Sequence, residues 1–206
     1  MEIKSYNLLN VGVGGQGVIR AAQILSYAAL LDGYKVRTAE THGMAQRGGS
    51  VASYLRFGTE VEGPLVPRGK TDTILAFEAS EATRIFNYAG PQTIFLINMN
   101  IIIPPMIHQM NMKYPDINQI SEFLKRVSQN IYFINAGEMA MSLGNSRAMN
   151  VVMLGVLLGS HTIPLKRESL VKAIFSYLPT EVHDVNNKAF KMGIEKGKNI
   201  RSDFND

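Results

Sequence analysis

The chain of 206 residues contains no cysteine. Disulfides, cysteine-ligated iron–sulfur clusters, cysteine-rich zinc sites and a thiol nucleophile are therefore excluded within this chain. Charged residues are also few, at 18% against a hydrophobic content of 46%. A weakly charged chain has fewer solvated side chains to cover its surface, which indicates a face buried against a partner.

Long apolar runs are missing as well. No uninterrupted apolar stretch approaches the roughly 18 residues of a membrane span, and the start lacks the basic-then-apolar layout of a signal peptide. We therefore expect a cytoplasmic protein without membrane contact. The net charge is only +4, and we expect the basic C-terminal run to be a solvated helix face, with nucleic-acid binding as the weaker alternative. That run contains Lys188, Lys191, Lys196, Lys198 and Arg201.

A self-sufficient catalytic set is also missing. The sequence has no nucleophile elbow, no P-loop lysine and no paired acids in an obvious cleft segment. The four histidines are far apart in sequence and lack the spacing of a zinc-binding helix, at His42, His108, His161 and His183. The pattern indicates a ligand-positioning module that supplies no catalytic residue and no metal site.

The chain does contain a glycine turn at residues 12–17, between a short apolar run and a long apolar helix. Strand, glycine turn and helix in that order form the setting of a phosphate-binding βα turn. Gly12 permits the tight turn, Gly14 lets a ligand approach the backbone, and Gly17 lets helix and strand pack closely. Free N–H groups at the helix start favour an anion. The alternative is a plain structural βα turn.

Further candidate residues lie at the next strand end. Glu40 stands at about the sequence distance at which a dinucleotide-binding fold places its ribose-binding acid. The polar loop that follows includes Arg47 beside Gly48 and Gly49, which would bring a guanidinium and bare backbone N–H groups to one phosphate or carboxylate. For His42, a structural role is the default.

The order of predicted elements sets the fold class. Strands and helices alternate over the first two-thirds, which predicts a mainly parallel, doubly wound sheet. Strands are predicted at residues 7–12, 34–40, 51–57, 73–78, 93–99 and 131–135. Helices are predicted at residues 18–32, 80–89, 117–127, 136–143, 147–158, 166–178 and 182–197. We expect one Rossmann-like α/β domain over residues 1–206, with a half-exposed strand at 51–57 and a helical C-terminal third. Glu78, between a strand end and a helix start, is expected to cap the helix or order a loop.

Three motifs carry a family resemblance. They are Gly-Val-Gly-Gly-Gln-Gly at 12–17, Thr-His-Gly-Met-Ala-Gln-Arg-Gly-Gly-Ser-Val at 41–51 and Thr-Asp-Thr-Ile-Leu-Ala-Phe-Glu at 71–78. Together they resemble the gamma subunits or gamma domains of the 2-oxoacid:ferredoxin oxidoreductases. The second motif is most similar to the small (beta) subunit of the indolepyruvate ferredoxin oxidoreductases. Segments at 143–147, 150–155 and 187–193 are similar to the family's C-terminal half, so the resemblance covers essentially the whole chain.

The resemblance implies a heteromer that decarboxylates a 2-oxoacid, here an aryl pyruvate such as indolepyruvate, to its acyl-coenzyme A. Thiamine diphosphate and iron–sulfur clusters would belong to a large partner subunit, and ferredoxin would accept the electrons. This chain would be a non-redox subunit, inactive alone, that helps to dock coenzyme A. The expected binding residues are Gly12, Gly14, Gly15, Gln16, Gly17, Glu40, His42, Arg47, Gly48 and Gly49.

Two alternatives stay open at this point. The glycine turn and Glu40 fit an independent NAD- or FAD-binding oxidoreductase domain. The other alternative is a non-enzymatic nucleotide-sensing or scaffold module, whose partner would carry no thiamine site.

Overall fold

A computed structural model describes residues 3–42, 49–102 and 113–202, without the side chains of residues 42 and 201. Six strands form one sheet: β1 Tyr6–Val13, β2 Lys35–His42, β3 Ser50–Gly58, β4 Thr71–Ala76, β5 Ala89–Asn98 and β6 Ile131–Ile134. The α-helices are α1 Val18–Leu31, α2 Glu81–Arg84, α3 Ile117–Lys125, α4 Ala136–Ser142, α5 Met149–Gly159, α6 Arg167–Tyr177 and α7 His183–Ser202. Short 3₁₀ turns precede α5, at Ser146–Ala148, and α7, at Thr180–Val182.

The sheet has the strand order β2-β3-β1-β4-β5-β6. Strands β1, β4, β5 and β6 pair in parallel, whereas β3 is antiparallel to both of its neighbours. The predicted mixed α/β fold, with a mostly parallel sheet and a helical C-terminal part, is confirmed. A Rossmann-like arrangement is not confirmed, because the usual order places β2 directly beside β1, and here the antiparallel β3 lies between them.

Helices cover both faces of the sheet. On one face, Leu8, Leu55 and Leu75 join the buried side chains of α1 and of the C-terminal helices in the larger core. On the other face, Leu9 and Ile74 pack with buried side chains of α2 and α3 in a smaller core. Alternate residues of each central strand therefore enter different cores, as a strand period of two requires.

Strand β3 is buried rather than half-exposed, so that part of the prediction is wrong. Ala52 and Tyr54, which alternation would turn to solvent, lie in the smaller core. The ring of Tyr54 packs edge-on against Tyr88, with 5.5 Å between the ring centroids. The reason is topological: β3 is an interior strand with both faces covered, and sequence alternation alone cannot show which strands are interior.

The predicted helix at 80–89 is also shorter than expected. Only α2 and a 3₁₀ turn form, and β5 begins at Ala89. The hydroxyl of Thr93 accepts a hydrogen bond from the N–H of Gly90 (2.8 Å) and donates to the carbonyl of Thr71 (2.6 Å). These bonds hold Gly90 against the neighbouring strand, so the chain extends where a helix stop was expected.

Helices α5 and α7 cross in backbone contact. A Cβ built on Gly193 would lie 2.1 Å from the carbonyl oxygen of Val152, and one on Gly155 would lie 2.3 Å from that of Phe190. Gly159 and Gly197 face similarly close backbone atoms. Apart from Asn150, helix α5 is apolar on every side and almost fully buried, as a helix inside a core should be. Among the described helices, none combines the length and apolar character that crossing a bilayer demands.

The close helix crossing predicts that any added side chain strongly destabilises the folded protein. Gly193→Ala should lower the free energy of unfolding by about 3 kcal/mol, because the clashing atom is a backbone oxygen that cannot move aside. This loss exceeds the helix-propensity gain of alanine, roughly 1 kcal/mol. Urea denaturation followed by circular dichroism measures it. Gly63→Ala is the control, since a Cβ there meets nothing within 4 Å; equal stabilities for both variants would contradict the close crossing.

Candidate functional site

The glycine turn joins β1 to α1 with two left-handed residues. Gly15 has a φ of 104° and Gly17 a φ of 79°, a backbone conformation that residues with a Cβ rarely adopt. At Gly12 a Cβ would lie 2.7 Å from Oε1 of Gln16 and 2.8 Å from Cγ2 of Val18. Glycine is thus required at Gly12 for packing and at Gly15 and Gly17 for conformation.

The Gln16 side chain fastens this turn to the end of β4. Its Oε1 accepts a hydrogen bond from the N–H of Val13 (2.7 Å), and its Nε2 donates to the carbonyl of Phe77 (2.9 Å). Asn98 donates to the same carbonyl (3.0 Å). Both polar ends of the Gln16 amide are therefore bonded to the protein, which gives this residue a structural role in the turn.

The start of α1 meets the start of α5. Gly17 is the N-cap of α1, and no side chain caps the helix. A Cβ on Gly17 would lie 2.6 Å from Nδ2 of Asn150, in the first turn of α5. The two helix starts are in contact, and their first N–H groups belong to the same region of the surface.

A cleft of about 720 Å³ opens at this contact. Three segments that begin helices form most of its walls: the glycine turn before α1, the 3₁₀ turn before α5 and the 3₁₀ turn before α7. A helix N-terminus carries the positive end of the helix dipole. Three of them around one space favour a negatively charged ligand. The lining residues are Gly15, Gln16, Gly17, Arg20, Asn100, Ile102, Asn145, Ser146, Arg147, Met149, Asn150, Leu178, Pro179, Val182 and Asn186.

Side chains add to the positive potential of the cleft. Arg20 and Arg147 are both exposed at its walls, and no aspartate or glutamate is among the described lining residues. Asn186 is 4% exposed and donates to the carbonyl of Val182 (2.8 Å). Asn145 accepts from the backbone N–H of Arg147 (3.1 Å), which fixes the 3₁₀ turn that presents that arginine. Arginines of this kind can bind phosphate or carboxylate through two parallel N–H donors.

The connection between α6 and α7 is held in place from two sides. Arg20 donates from Nη1 to the carbonyl of Tyr177 (2.5 Å). His183 places its Nε2 2.9 Å from the carbonyl of Leu178 and packs its ring on Phe175. The wall formed by Leu178 and Pro179 is therefore attached both to α1 and to α7.

Only part of the predicted site reaches the cleft. Gly15, Gln16 and Gly17 line it, whereas Gly12 and Gly14 act on the turn behind it. The N–H of Gly14 donates to the carbonyl of Gly49 (2.9 Å), so Gly49 meets the glycine turn. Two other predicted residues, Arg47 and Gly48, lie outside the described residues.

Glu40 and His42 belong to the edge strand β2, away from the lining residues. Glu40 pairs with Ser53, which pairs with Asn10 on β1. With strands about 4.8 Å apart, Glu40 is two strands, roughly 10 Å, from β1, and it is level with Asn10 rather than with the turn. The backbone of His42 pairs with Val51, opposite Gly12, and its side chain lies outside the described part of the chain.

Glu78 has the capping role predicted for it. Its Oε2 accepts from the backbone N–H of Glu81 (3.1 Å) and from the hydroxyl of Ser80 (2.9 Å). Glu81 is buried too, and it accepts hydrogen bonds from Ser50 and Arg84. Burial raises the pKa of the Glu81 carboxyl, the charge of Glu78 raises it further, and the Ser50 and Arg84 contacts oppose that rise.

Sequence reasoning missed most of the lining residues, among them Arg20, Asn145, Arg147, Asn150 and Asn186. Arg20 is visible in the sequence only as one member of a polar stripe on α1, and the others belong to a segment predicted simply as helices. Their common property is position at or near a helix start. That property becomes a site only when the fold brings the helix starts together.

A family model described as pyruvate ferredoxin/flavodoxin oxidoreductase matches residues 7–196. This chain belongs to that family. Indolepyruvate oxidoreductase subunit IorB of Archaeoglobus fulgidus is 40% identical over 187 residues, which are 91% of this chain and 92% of that one. As a member of the pyruvate ferredoxin/flavodoxin oxidoreductase family, the chain has homologues that are small subunits of 2-oxoacid:ferredoxin oxidoreductases.

Two solved structures share the fold of this chain. Pyruvate oxidoreductase subunit PORC of Thermotoga maritima is 25% identical, with a TM-score of 0.66 over 93% of this chain and 96% of that one. A 2-oxoglutarate:ferredoxin oxidoreductase chain of Magnetococcus marinus, solved with 2-oxoglutarate, coenzyme A and succinyl-CoA bound, has a TM-score of 0.69. It is 20% identical, and the match covers 98% of this chain and 32% of that one.

The comparisons do not support an NAD- or FAD-binding domain. The geometry explains why the sequence pattern suggested one: the glycine turn is present, but β3 separates the acid of β2 from it. Within the described ranges, no three histidine, cysteine, aspartate or glutamate side chains are grouped closely enough to hold a metal ion.

The hydrogen bonds of Gln16 predict that its substitution affects folding. Gln16→Met should lower the free energy of unfolding by about 2 kcal/mol, because it leaves the N–H of Val13 and part of the Phe77 carbonyl without a partner. Gln23→Met, on the exposed face of α1, is the matched control and should change stability little. Denaturant titration measures both; an unchanged stability for Gln16→Met would contradict the structural role.

Proposed function

We propose that this chain is the non-redox small subunit of a thiamine-dependent 2-oxoacid:ferredoxin oxidoreductase and that it docks coenzyme A in the cleft. The substrate we assign is indolepyruvate or another aryl pyruvate, because the relatives at 36–40% identity are indolepyruvate oxidoreductase subunits. The observation that carries the docking role is the cleft itself, which has three helix starts, two arginines and no acid among its described lining residues.

The chemistry of coenzyme A matches both the anion-binding groups and the apolar residues of this cleft. Its pyrophosphate and 3′-phosphate are anions, which helix N-termini and arginine guanidinium groups bind well. Its adenine ring and pantetheine arm need apolar contact. The cleft supplies that with Ile102, Met149, Leu178, Pro179 and Val182. The phosphates would lie between Gly17 and the two arginines.

This chain's part in the reaction would be binding and orientation. The described lining contains amides, arginines and backbone N–H groups, which can hold an anion in one position. Thiamine diphosphate and iron–sulfur clusters, both expected in the larger partner, supply the decarboxylation and electron transfer to ferredoxin. The 2-oxoglutarate enzyme chain, of which this chain matches 32%, supports a larger partner that carries the remaining parts. The cytoplasm remains our expected compartment for the complex.

The loop at Arg47, Gly48 and Gly49 stays a proposed second anion contact. The bond between Gly49 and Gly14 supports it, because it brings one end of the loop to the glycine turn. Gly12 and Gly14 would shape that turn without direct contact. For Glu40 and His42, the register of β2 gives no support to a role in binding the ligand.

The docking role predicts an effect of Arg147 on coenzyme A alone. In the enzyme assembled with its large subunit, Arg147→Ala should raise the KM for coenzyme A about tenfold or more, because a guanidinium–phosphate bond is worth roughly 1.5–3 kcal/mol. The KM for the 2-oxoacid should change little. Arg68→Ala, an exposed arginine outside the cleft lining, is the matched control. An unchanged KM for coenzyme A in Arg147→Ala would contradict docking in this cleft.

Because the thiamine diphosphate and the iron–sulfur clusters are assigned to the larger partner, the proposal predicts that the isolated chain is inactive. The purified chain should show no chromophore above the protein band and no turnover of indolepyruvate with coenzyme A and an electron acceptor. Addition of the large thiamine-binding subunit should restore turnover. Activity of the isolated chain in the same assay would refute the proposed function.

A further inference from the structure

A buried carboxylate just after β4 holds two segments at once. Glu78 is 1% exposed. Besides Ser80 and Glu81, which bond to Oε2, the hydroxyl of Tyr114 and the backbone N–H of Ile102 (3.4 Å) both donate to Oε1. These four donors are all neutral groups, so hydrogen bonds stabilise the carboxylate within the protein.

The two donors on Oε1 come from distant parts of the sequence. Ile102 follows β5, and Tyr114 precedes α3. The hydroxyl of Tyr114 also accepts from the backbone N–H of Ser80 (3.3 Å). Burial and the bond to Glu78 raise the pKa of Tyr114, so its hydroxyl remains protonated and continues to donate at neutral pH.

This position bears directly on the cleft. Ile102 and its near neighbour Asn100 are lining residues. The residue before Glu78 is Phe77, whose carbonyl accepts from Gln16 of the glycine turn and from Asn98 at the end of β5. The end of β4 therefore holds the glycine turn on one side of the cleft and the 98–102 segment on the other.

A carboxylate is needed here because each oxygen receives two donors. An amide offers one acceptor oxygen, and its NH₂ group would face either the Ser80 and Glu81 donors or the Ile102 and Tyr114 donors. A buried donor left without an acceptor costs far more than an exposed one. Replacement of Glu78 by glutamine should therefore release one of the two pairs.

We propose that Glu78 is a positioning residue for the cleft, fixing Ile102 and Tyr114 so that Asn100 and Ile102 keep the wall against which coenzyme A docks. The proposal rests on the proposed function for its ligand and on the hydrogen bonds of Glu78 for its mechanism. Glu78 lies behind the cleft wall and is not among the lining residues, so it acts through its neighbours.

The test uses Glu78→Gln together with Tyr114→Phe, which removes only one hydroxyl. In the full chain, both variants should speed tryptic cleavage after the exposed Lys113, about tenfold for Glu78→Gln and less for Tyr114→Phe. Cleavage after Lys172, which is exposed on α6, should stay at the wild-type rate. In the assembled enzyme, Glu78→Gln should raise the KM for coenzyme A about tenfold and leave kcat within about twofold.

Asp72→Asn is the matched control. The Asp72 carboxylate accepts a hydrogen bond from the backbone N–H of Asn7 (2.7 Å) at the end of β4 away from Glu78. This substitution should leave both the Lys113 cleavage and the KM for coenzyme A unchanged. Wild-type cleavage after Lys113 in both test variants overturns the proposal. If Glu78→Gln also speeds cleavage after Lys172, this variant does not fold normally. Tyr114→Phe then decides the question through its cleavage after Lys113 and its KM for coenzyme A.

The ligand part can fail separately. Suppose that Arg147→Ala raises the KM for coenzyme A. If Glu78→Gln then speeds cleavage after Lys113 but keeps the wild-type KM, the positioning role is overturned. A wild-type KM in Arg147→Ala as well refutes docking in this cleft, and with it the link to coenzyme A.

Discussion

The backbone contact between α5 and α7 is the constraint on which the site depends. Two glycines on each helix leave no room for a side chain at the crossing, so the helix axes are fixed at a distance set by backbone atoms. Backbone atoms cannot change rotamer, and the crossing therefore has little freedom to widen. Because the first turns of both helices line the cleft, this contact also sets how far Asn150 stands from Val182 and Asn186. The contact of Asn150 with Gly17 then extends the same geometry to α1.

The electrostatic character of the cleft follows from that packing. A single helix N-terminus is a weak anion site, because solvent screens its partial charge within about a turn. Three helix starts beside one concave space add their fields, and the apolar lining residues reduce the screening by solvent. Those residues are Ile102, Met149, Leu178, Pro179 and Val182. Arg20, in the first turn of α1, and Arg147, in the 3₁₀ turn before α5, add full positive charges at the wall of the same cleft. No described acid in the lining neutralises them. The result is a space suited to holding a polyanion, and its described lining residues include no carboxylate or histidine to take or give a proton.

The sequence predicted the helices and strands well, but it did not predict which strands lie next to each other in the sheet. Local periodicity identified all six strands and placed the four C-terminal helices within a few residues, because burial patterns are properties of short segments. Strand order depends on pairing between distant segments, so the insertion of β3 between β2 and β1 was invisible. That insertion makes β3 an interior strand and removes Glu40 from the glycine turn. The site was predicted in the same uneven way. Gly15, Gln16 and Gly17 were found through a local motif, whereas Arg20, Arg147 and Asn186 are brought together only by the packing of α1, α5 and α7.

The end of β4 shows how one strand end can organise both sides of a ligand site. In parallel α/β sheets, loops at the carboxyl edge bind ligands, yet loops are the least constrained part of such a fold. Here the Phe77 carbonyl and the Glu78 carboxylate hold the neighbouring segments by side-chain and backbone bonds instead of by additional secondary structure. A carboxylate performs this role because it accepts several bonds in fixed directions from inside the protein, where competing water is absent. The position of the cleft wall then depends on the buried Glu78 carboxylate beside it. The desolvation of this carboxylate is offset only while all of its hydrogen-bond donors stay in place.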